Sequence, residues 1–521
     1  MVKGRYLALL LVVCMGLSMI SGCGNSEEPA SNSVGDSVGT EKPDDGSLDD
    51  EDMAEINVMY ISMGNATTGL QDVEDAINEI TETEINTHVN LEMVEAGSYD
   101  QQVSLRLAGN EKTDLMVTFP EGASSFASMT ALNQLYPITD LLDEYGSGII
   151  NTVGQDVLNA TTINGETYAV TTWRSLVTSV YICMRTDMLE EQGLLEKAQS
   201  MTSFDEYEEI LEVIKNNYSM APMAGSINGV TLQLAGTNLL GDFADCEVYE
   251  THGDTLRLVA MDYGTTEMYN HYASEEYKAM LEKVTEWYEK GYVYKDSMTT
   301  EDSGETLVKN NATFSFIQNS EIGVETAKAA ACGYDMTCVK VITMPIDTLS
   351  CTKFTWAVPT SATEPEAAVK FLNLMYTDER IANLLSWGVE DLHYQVVDGV
   401  ATYIEGQDVS SCEYHSSDFL FGNQFLVKPW EGQSADFRDQ AMAEMESGGK
   451  SEFLGFSMDT STLTNELTAV NNVIQEYRPG LECGASGMGV YEEFLEKLET
   501  AGASKVIDEY QRQFDEWKAQ Q

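Results

Sequence analysis

INGETYAVTTWRSLVTSVYICMRTD, residues 163–187, opens on Asn164-Gly165, a dipeptide that tolerates positive φ at both central positions and so suits a tight hairpin. A strand follows from Glu166 to Val170. Then Thr171-Thr172-Trp173-Arg174 interrupts the apolar pattern, and a second β-rich run, Val177 to Met184, leads through Arg185-Thr186-Asp187 into a helix. Two strands parted by a polar bridge describe the chain's first passage from one half of the molecule into another.

Toward the N-terminus, Glu55–Ser62 reads as a buried strand. Val73, Ile77 and Ile80 recur at helical spacing, and Val89, Leu91 and Met93 alternate as in a strand. Tyr99–Gly109 is helical again, and Asp114–Thr118 is a third strand. This β-α-β-α-β order predicts a mainly parallel sheet covered on both faces. Ligands of such sheets bind beyond the carboxyl ends of the strands, which singles out Met63, Gly64, Asn65, Thr118 and Phe119.

Beyond the passage, Ser203-Phe204-Asp205-Glu206 forms a capping box ahead of a helix that buries Phe204, Tyr207, Ile210, Leu211 and Ile214. Met220–Ile227 returns as a strand, Asn228-Gly229 turns the chain, and Tyr272–Gly291 is a helix whose Trp287 packs inward. Asn311–Ile317 is a short β run that the pattern assigns to the first half, with Gln318 and Asn319 following it as Asn65 follows the first strand. Val339–Met344 and Phe354–Val358 lead to a second bridge near Pro359, and Thr363–Glu366 cap the next helix. Thr460–Gln521 is helical throughout.

Several phrases resemble one family. The N-G-x-x-Y-A-V hairpin with its V-Y-I-x-x-R strand, SYDQQVSLRLAGNEKTDLMV at 98–117, LYPITDLLDEY at 135–145, PEAAVKFLNLMYTDERIANLLSWGVEDLHY at 365–394 and the pattern from Lys497 to Gln513 are similar to the extracellular solute-binding proteins of bacterial ABC importers. The likeness is to the family 1, maltose-binding-like group, in its Gram-positive lipoprotein branch. Thr171 and Thr113 stand where that family usually has Pro, and Asp391 stands where its G-x-E-G-x-H-Y pattern has Gly. The resemblance implies an α/β, two-lobe, type II periplasmic-binding-protein-like fold, with each lobe a mainly parallel sheet flanked by helices and the two joined by a hinge. It also implies a carbohydrate or oligosaccharide ligand and an ABC permease as partner. On this reading 55–172 and 305–358 form the N-terminal lobe, 173–304 and 359–480 the C-terminal lobe, and 481–521 the closing helices.

Met1–Cys23 has the form of an export signal. Lys3 and Arg5 precede an apolar run too short for a permanent span, and Ile20-Ser21-Gly22-Cys23 fits the bacterial lipobox, with Cys23 as the lipidated residue. Residues 24–54 are acidic and nearly free of aromatics, as in a disordered tether, and the oxygen ligands of a calcium loop are out of register within them. The expected location is the outer face of the cytoplasmic membrane, held there by the lipid alone. A formal charge of −58 makes nucleic acid and anionic membrane surfaces repelled partners, and a monomer is expected.

Of nine cysteines, seven remain once Cys14 and Cys23 are set aside. Their spacing matches no zinc pattern, and Cys332, Cys338 and Cys351 either hold one disulfide or serve as small buried apolar residues. Gly448-Gly449-Lys450-Ser451 imitates the end of a phosphate loop, but Glu444 stands where the first Gly is needed. Five scattered His form no ligand set, and no nucleophile elbow or H-E-x-x-H is present, so neither a cofactor nor catalysis is expected.

A sugar needs aromatic plates for its C–H faces and polar side chains for its hydroxyls. The expected ligand residues are therefore Met63, Asn65, Phe119, Trp173, Arg174, Gln318, Asn319, Trp356, Trp387, Glu390, Tyr394 and Trp430. Trp173 and Trp356 sit at the two bridges, and Arg174 answers an acidic group on the solute or pairs with a neighbouring carboxylate. His393 is expected to be structural. The alternatives are a surface sensor or interaction module of the same fold and a receptor for a non-sugar solute such as a peptide.

Overall fold

A computed structural model describes residues 53–63, 67–120, 122–225, 242–243, 249–250, 256–262, 265–300, 302–451 and 453–520. The export signal, Cys23, nearly all of the tether, Asn65, Cys246 and the Asn228-Gly229 turn lie outside them.

The strands run β1 (Ala54–Ser62), β2 (Thr87–Glu95) and β3 (Leu115–Val117), then the hairpin β4 (Thr162–Ile163) and β5 (Glu166–Thr167), then β6 (Ala169–Thr171) and β7 (Ser179–Arg185). They continue through β8 (Ala221–Met223), β9 (Tyr249–Glu250), β10 (Val259–Asp262), β11 (Tyr269–Asn270), β12 (Thr313–Ser320), β13 (Met336–Thr343), β14 (Thr355–Ala357), β15 (Gln395–Val397) and β16 (Val400–Thr402). Two sheets carry the architecture, ordered β2-β1-β3-β14-β6 and β13-β7-β12-β8. The hairpin forms as expected, with Asn164 and Gly165 at φ 55° and 85°.

The first sheet is parallel through β2, β1 and β3, and β14 runs antiparallel to β3 and β6. The second departs from the mainly parallel expectation. There β7 pairs antiparallel with both β12 and β13, and only β12 and β8 are parallel. Alternation along β7 sends Val180, Ile182 and Met184 to one core and Tyr181 and Cys183 to the opposite face, as the two-residue period of a strand requires.

Pairing also redraws the lobes. β12 and β13 belong to the second sheet rather than to the first half, and the helices Pro365–Thr377 and Glu379–Trp387 bury Phe371, Leu372 and Ile381 in the first core rather than the second. The reason is local. A short β run with apolar alternation declares a strand but not its neighbour, whereas Phe314 and Phe316 are buried only beside β7 and β8. The C-terminal helices Thr464–Glu482, Tyr491–Ala501 and Ala503–Lys518 close the second core through Val470, Ile474, Phe494, Val506 and Phe514.

Three segments cross between the cores, and they are laced together by main-chain bonds. The first lies between β6 and β7, the second between β13 and β14, and the third follows the helix Phe437–Gly448. Met344 N–H donates to Thr178 O at 2.8 Å, Ile346 N–H to Gly449 O at 3.0 Å, and Ser451 N–H to Ile346 O at 2.8 Å. The second crossing thus precedes β14 instead of falling near Pro359. The Gly448-Gly449 pair that imitated a phosphate loop is part of this lacing. A Cβ on Gly448 would stand 2.9 Å from Val177 Cγ1 and 3.0 Å from Met344 O.

Asp114 ties the first sheet to the helix that follows the second crossing. Its carboxylate accepts from Asn57 N–H at 2.9 Å, Thr363 N–H at 2.8 Å and Glu364 N–H at 3.0 Å. The expected cap from Thr363 is replaced by this buried acid, because Glu364 is the N-cap and its side chain caps nothing. Among the described residues no helix is long and apolar enough to cross a membrane.

Candidate ligand-binding site

The carboxyl end of β3, the three crossings and the ends of β12 and β13 bring one set of side chains together. On the first-sheet side Phe119 lies edge-on to Phe354 with centroids 6.4 Å apart, and Phe354 meets Phe419 at 5.3 Å. All three expectations at these crossings and strand ends that concern Phe119, Trp173 and Arg174 are half-buried side chains with some surface open. Trp173 is positioned by its backbone, whose N–H donates to Gly422 O at 2.7 Å and whose carbonyl accepts from Gln424 N–H at 2.8 Å, and its ring meets Phe425 edge-on at 6.3 Å.

Arg174 lies over the Phe354 ring at 5.9 Å and spends two nitrogens on Ser175 O and Ser350 O, while its Nε is buried without a partner. Burial lowers its affinity for the proton and the Glu321 carboxylate raises it again. The guanidinium is therefore held by the crossings on one side and faces an acid on the other.

On the second-sheet side Gln318 and Asn319 pair in register with Tyr181 and Val180 of β7 and are half-buried, and Asn319 Oδ1 is buried without a partner. Glu444 is 7% exposed. Its Oε1 accepts from Ser179 Oγ at 2.6 Å and Tyr181 Oη at 3.3 Å with Lys340 Nζ at 3.5 Å, yet Oε2 is buried and unpaired. Burial first, then the Glu444 carboxylate, pushes the Tyr181 phenol above its ordinary range. Glu321 keeps contact with solvent, but the protein around it displaces enough water to raise its carboxyl, with Arg174 and Lys353 opposing and Asp418 and Glu444 reinforcing the rise. Asp418 is in turn paired with Arg438.

Other expected residues part from this set. Trp356 is 0% exposed in the middle of the first sheet, and its indole N–H donates to Leu420 O at 2.7 Å, so it is a core residue and presents no face to a ligand. Trp387 is likewise buried, with its N–H on Lys428 O at 2.9 Å and its ring faces covered by His415 and Trp430, each 4.8 Å away. Tyr394 is buried in the same cluster, while Glu390 is exposed, bridges Tyr394 through the backbone and hydrogen-bonds it through the side chain, so that burial first and then the Glu390 carboxylate raise the Tyr394 phenol. Trp387 and Tyr394 are buried for one reason: the segment 388–416 folds back on the helix Glu379–Trp387 and covers them.

Trp430 remains half-buried in a box with Tyr403 and His415, at 4.9 and 4.4 Å. Burial lowers the His415 imidazole despite the opposing carboxylates of Asp418 and Glu431. Met63 is exposed at the end of β1. His393 is structural, as expected, and accepts from Val389 N–H through Nδ1 at 3.0 Å.

Phe354, Phe419, Phe425, Tyr181 and Glu444 belong to the set but escaped the sequence reading. Phe354 was the accessible one, since it ends the second crossing much as Trp173 begins the first. A separate open cavity of about 610 Å³, lined by Lys215, Tyr294, Lys295 and Asn311 among others, lies at the starts of β8 and β12, at the other end of the second sheet. Among the described residues no group of three or more His, Cys, Asp or Glu could hold a metal ion.

The profile described as bacterial extracellular solute-binding protein matches residues 75–389, more than half of the chain, and a domain of unknown function matches the closing helices over 452–519. A carbohydrate ABC transporter substrate-binding protein of Streptococcus pneumoniae is 21% identical over 466 residues, 88% of this chain and 90% of its own. The crystal structure of the N-glycan transport solute binding protein NgtS from the same species is 18% identical over 89% of this chain and 98% of its own, with a TM-score of 0.72. In complex with Man5GlcNAc it is 19% identical over the same shares, with a TM-score of 0.59.

Proposed function

Because the chain belongs to the bacterial extracellular solute-binding proteins, we propose that it holds an oligosaccharide between its two halves by closing them on it, and delivers it to an ABC permease. The observation that carries this reading is the meeting of half-buried aromatic rings, Phe119 and Trp173, with unpaired buried oxygens, Asn319 Oδ1 and Glu444 Oε2, at the ends of two different sheets. Rings offer stacking to sugar C–H faces, and an unpaired buried oxygen is costly until a hydroxyl donates to it.

The charge balance argues against a cationic solute. In a chain of formal charge −58 the acids Glu321, Asp418 and Glu444 stand among Arg174, Lys340, Lys353 and Arg438, so a neutral polyol is accommodated without an uncompensated field. Closure follows if the sugar touches both sides at once, since a ligand favours the state it binds better. The NgtS structures, which superpose on this chain to different extents, support a body whose halves can shift relative to one another.

Calorimetric titration against mannose-containing N-glycan fragments, milk-type oligosaccharides, short peptides and spermidine tests the ligand class. Heat from the oligosaccharides and their recovery uncleaved are expected. Heat from peptides or spermidine with silence across the sugars rejects it. Lipid anchoring at Cys23 completes the proposal and is read separately: Cys23→Ser is expected to release the protein into the medium.

A further inference from the structure

Cys183 of β7 and Cys338 of β13 are register partners on adjacent antiparallel strands, with Met184 opposite Thr337 on one side and Ile182 opposite Val339 on the other. Their sulfurs are 3.2 Å apart. Directly opposed residues of an antiparallel pair have Cα atoms about 4.5–5.5 Å apart, within the range that a disulfide spans. The sequence reading considered Cys332, Cys338 and Cys351 and left out Cys183. Cys351 belongs to the first core, and Cys332 ends the helix Val324–Cys332 in the same apolar cluster as Cys183.

We propose that Cys183 and Cys338 form a cross-strand disulfide when the exported protein meets a small-molecule disulfide, RSSR. Cys338, half-buried, is the sulfur a reagent can reach, whereas Cys183 is 0% exposed. The Cys338 thiolate attacks one sulfur of RSSR, releasing RS⁻, which takes up the proton that Cys338 lost. The Cys183 sulfur then displaces the second RS group from Cys338, and its proton leaves with that group. Two protein thiols are oxidised, one external disulfide is reduced to two RSH, and only the Cys183–Cys338 bond remains.

A hydrogen bond from the Cys183 S–H to the Cys338 sulfur, and then burial, keep Cys183 protonated, which fits the order in which the sulfurs act. An extracellular chain lies outside the reducing cytosol, and there such a bond persists. The bond would staple the strand that leaves the first crossing to the strand that enters the second.

The test treats the full chain with oxidised glutathione, blocks remaining thiols under denaturing conditions, and maps peptides by mass. A peptide pair joined through 183 and 338, two hydrogens lighter than the free peptides and restored by dithiothreitol, is expected. The pair should persist in Cys332→Ser and vanish in Cys338→Ser. A 332–338 pair, glutathione left on Cys338, or blocking groups on both Cys183 and Cys338 overturns the proposal.

Discussion

Trp173 and Trp356 show how little a residue's identity says about its exposure. Both flank a crossing, but Trp356 lies on an interior strand of the first sheet, paired on both sides, and its ring packs wholly within the first core. Trp173 follows the end of β6, outside the ladder. Trp356→Ala is therefore expected to cost about 3–5 kcal/mol in denaturant unfolding. Trp173→Ala, which removes a half-buried ring, should cost less than that and weaken oligosaccharide binding about ten-fold or more by calorimetry.

Glu482 supplies a pH dependence unrelated to binding. Burial raises its carboxyl to about 8 against the pull of Arg478, the Tyr277 hydroxyl and Arg257. Its folded value lies above the ordinary 4.5, so the stability it contributes is complete below that value and is lost as pH rises toward about 8. Urea melts at pH 5 and pH 8.5 should show Glu482→Gln losing less stability across that interval than the parent protein. An equal loss in both would remove Glu482 as the cause.

At the scale of elements, the periodic segments were legible and their partners were not. Ser203 caps its helix as the local pattern predicts, accepting from Glu206 N–H at 3.3 Å, but Glu206 reaches back one residue further, to Thr202 N–H at 2.7 Å. The next predicted cap is held by Asp114, an acid about 250 residues earlier in the chain that no local window connects to it. The two caps should differ accordingly. Ser203→Ala is expected to cost about 1 kcal/mol. Asp114→Ala should cost at least about 2 kcal/mol, because it strands three partly buried amides at once. The same blindness to long-range partners misplaced β12 and β13, whose alternation is evident but whose sheet is chosen by β7 and β8.

For the whole molecule, the family resemblance conveyed two halves and a ligand class, while the positions of the crossings became visible only with strand pairing. If the halves close, small-angle scattering should report a smaller radius of gyration on adding a bound oligosaccharide, and Trp173→Ala should need more sugar to reach it. The lacing of Thr178, Met344, Ile346 and Gly449 constrains how that closure proceeds. Three segments fastened side by side would act as a single axle, letting the jaws swing open on the far side while opposing their sliding past one another. On the proposed closure a chain-like guest would be gripped crosswise over a few units with its ends hanging free, and the length of glycan admitted would be set by the jaws' width and not by the depth of a closed chamber.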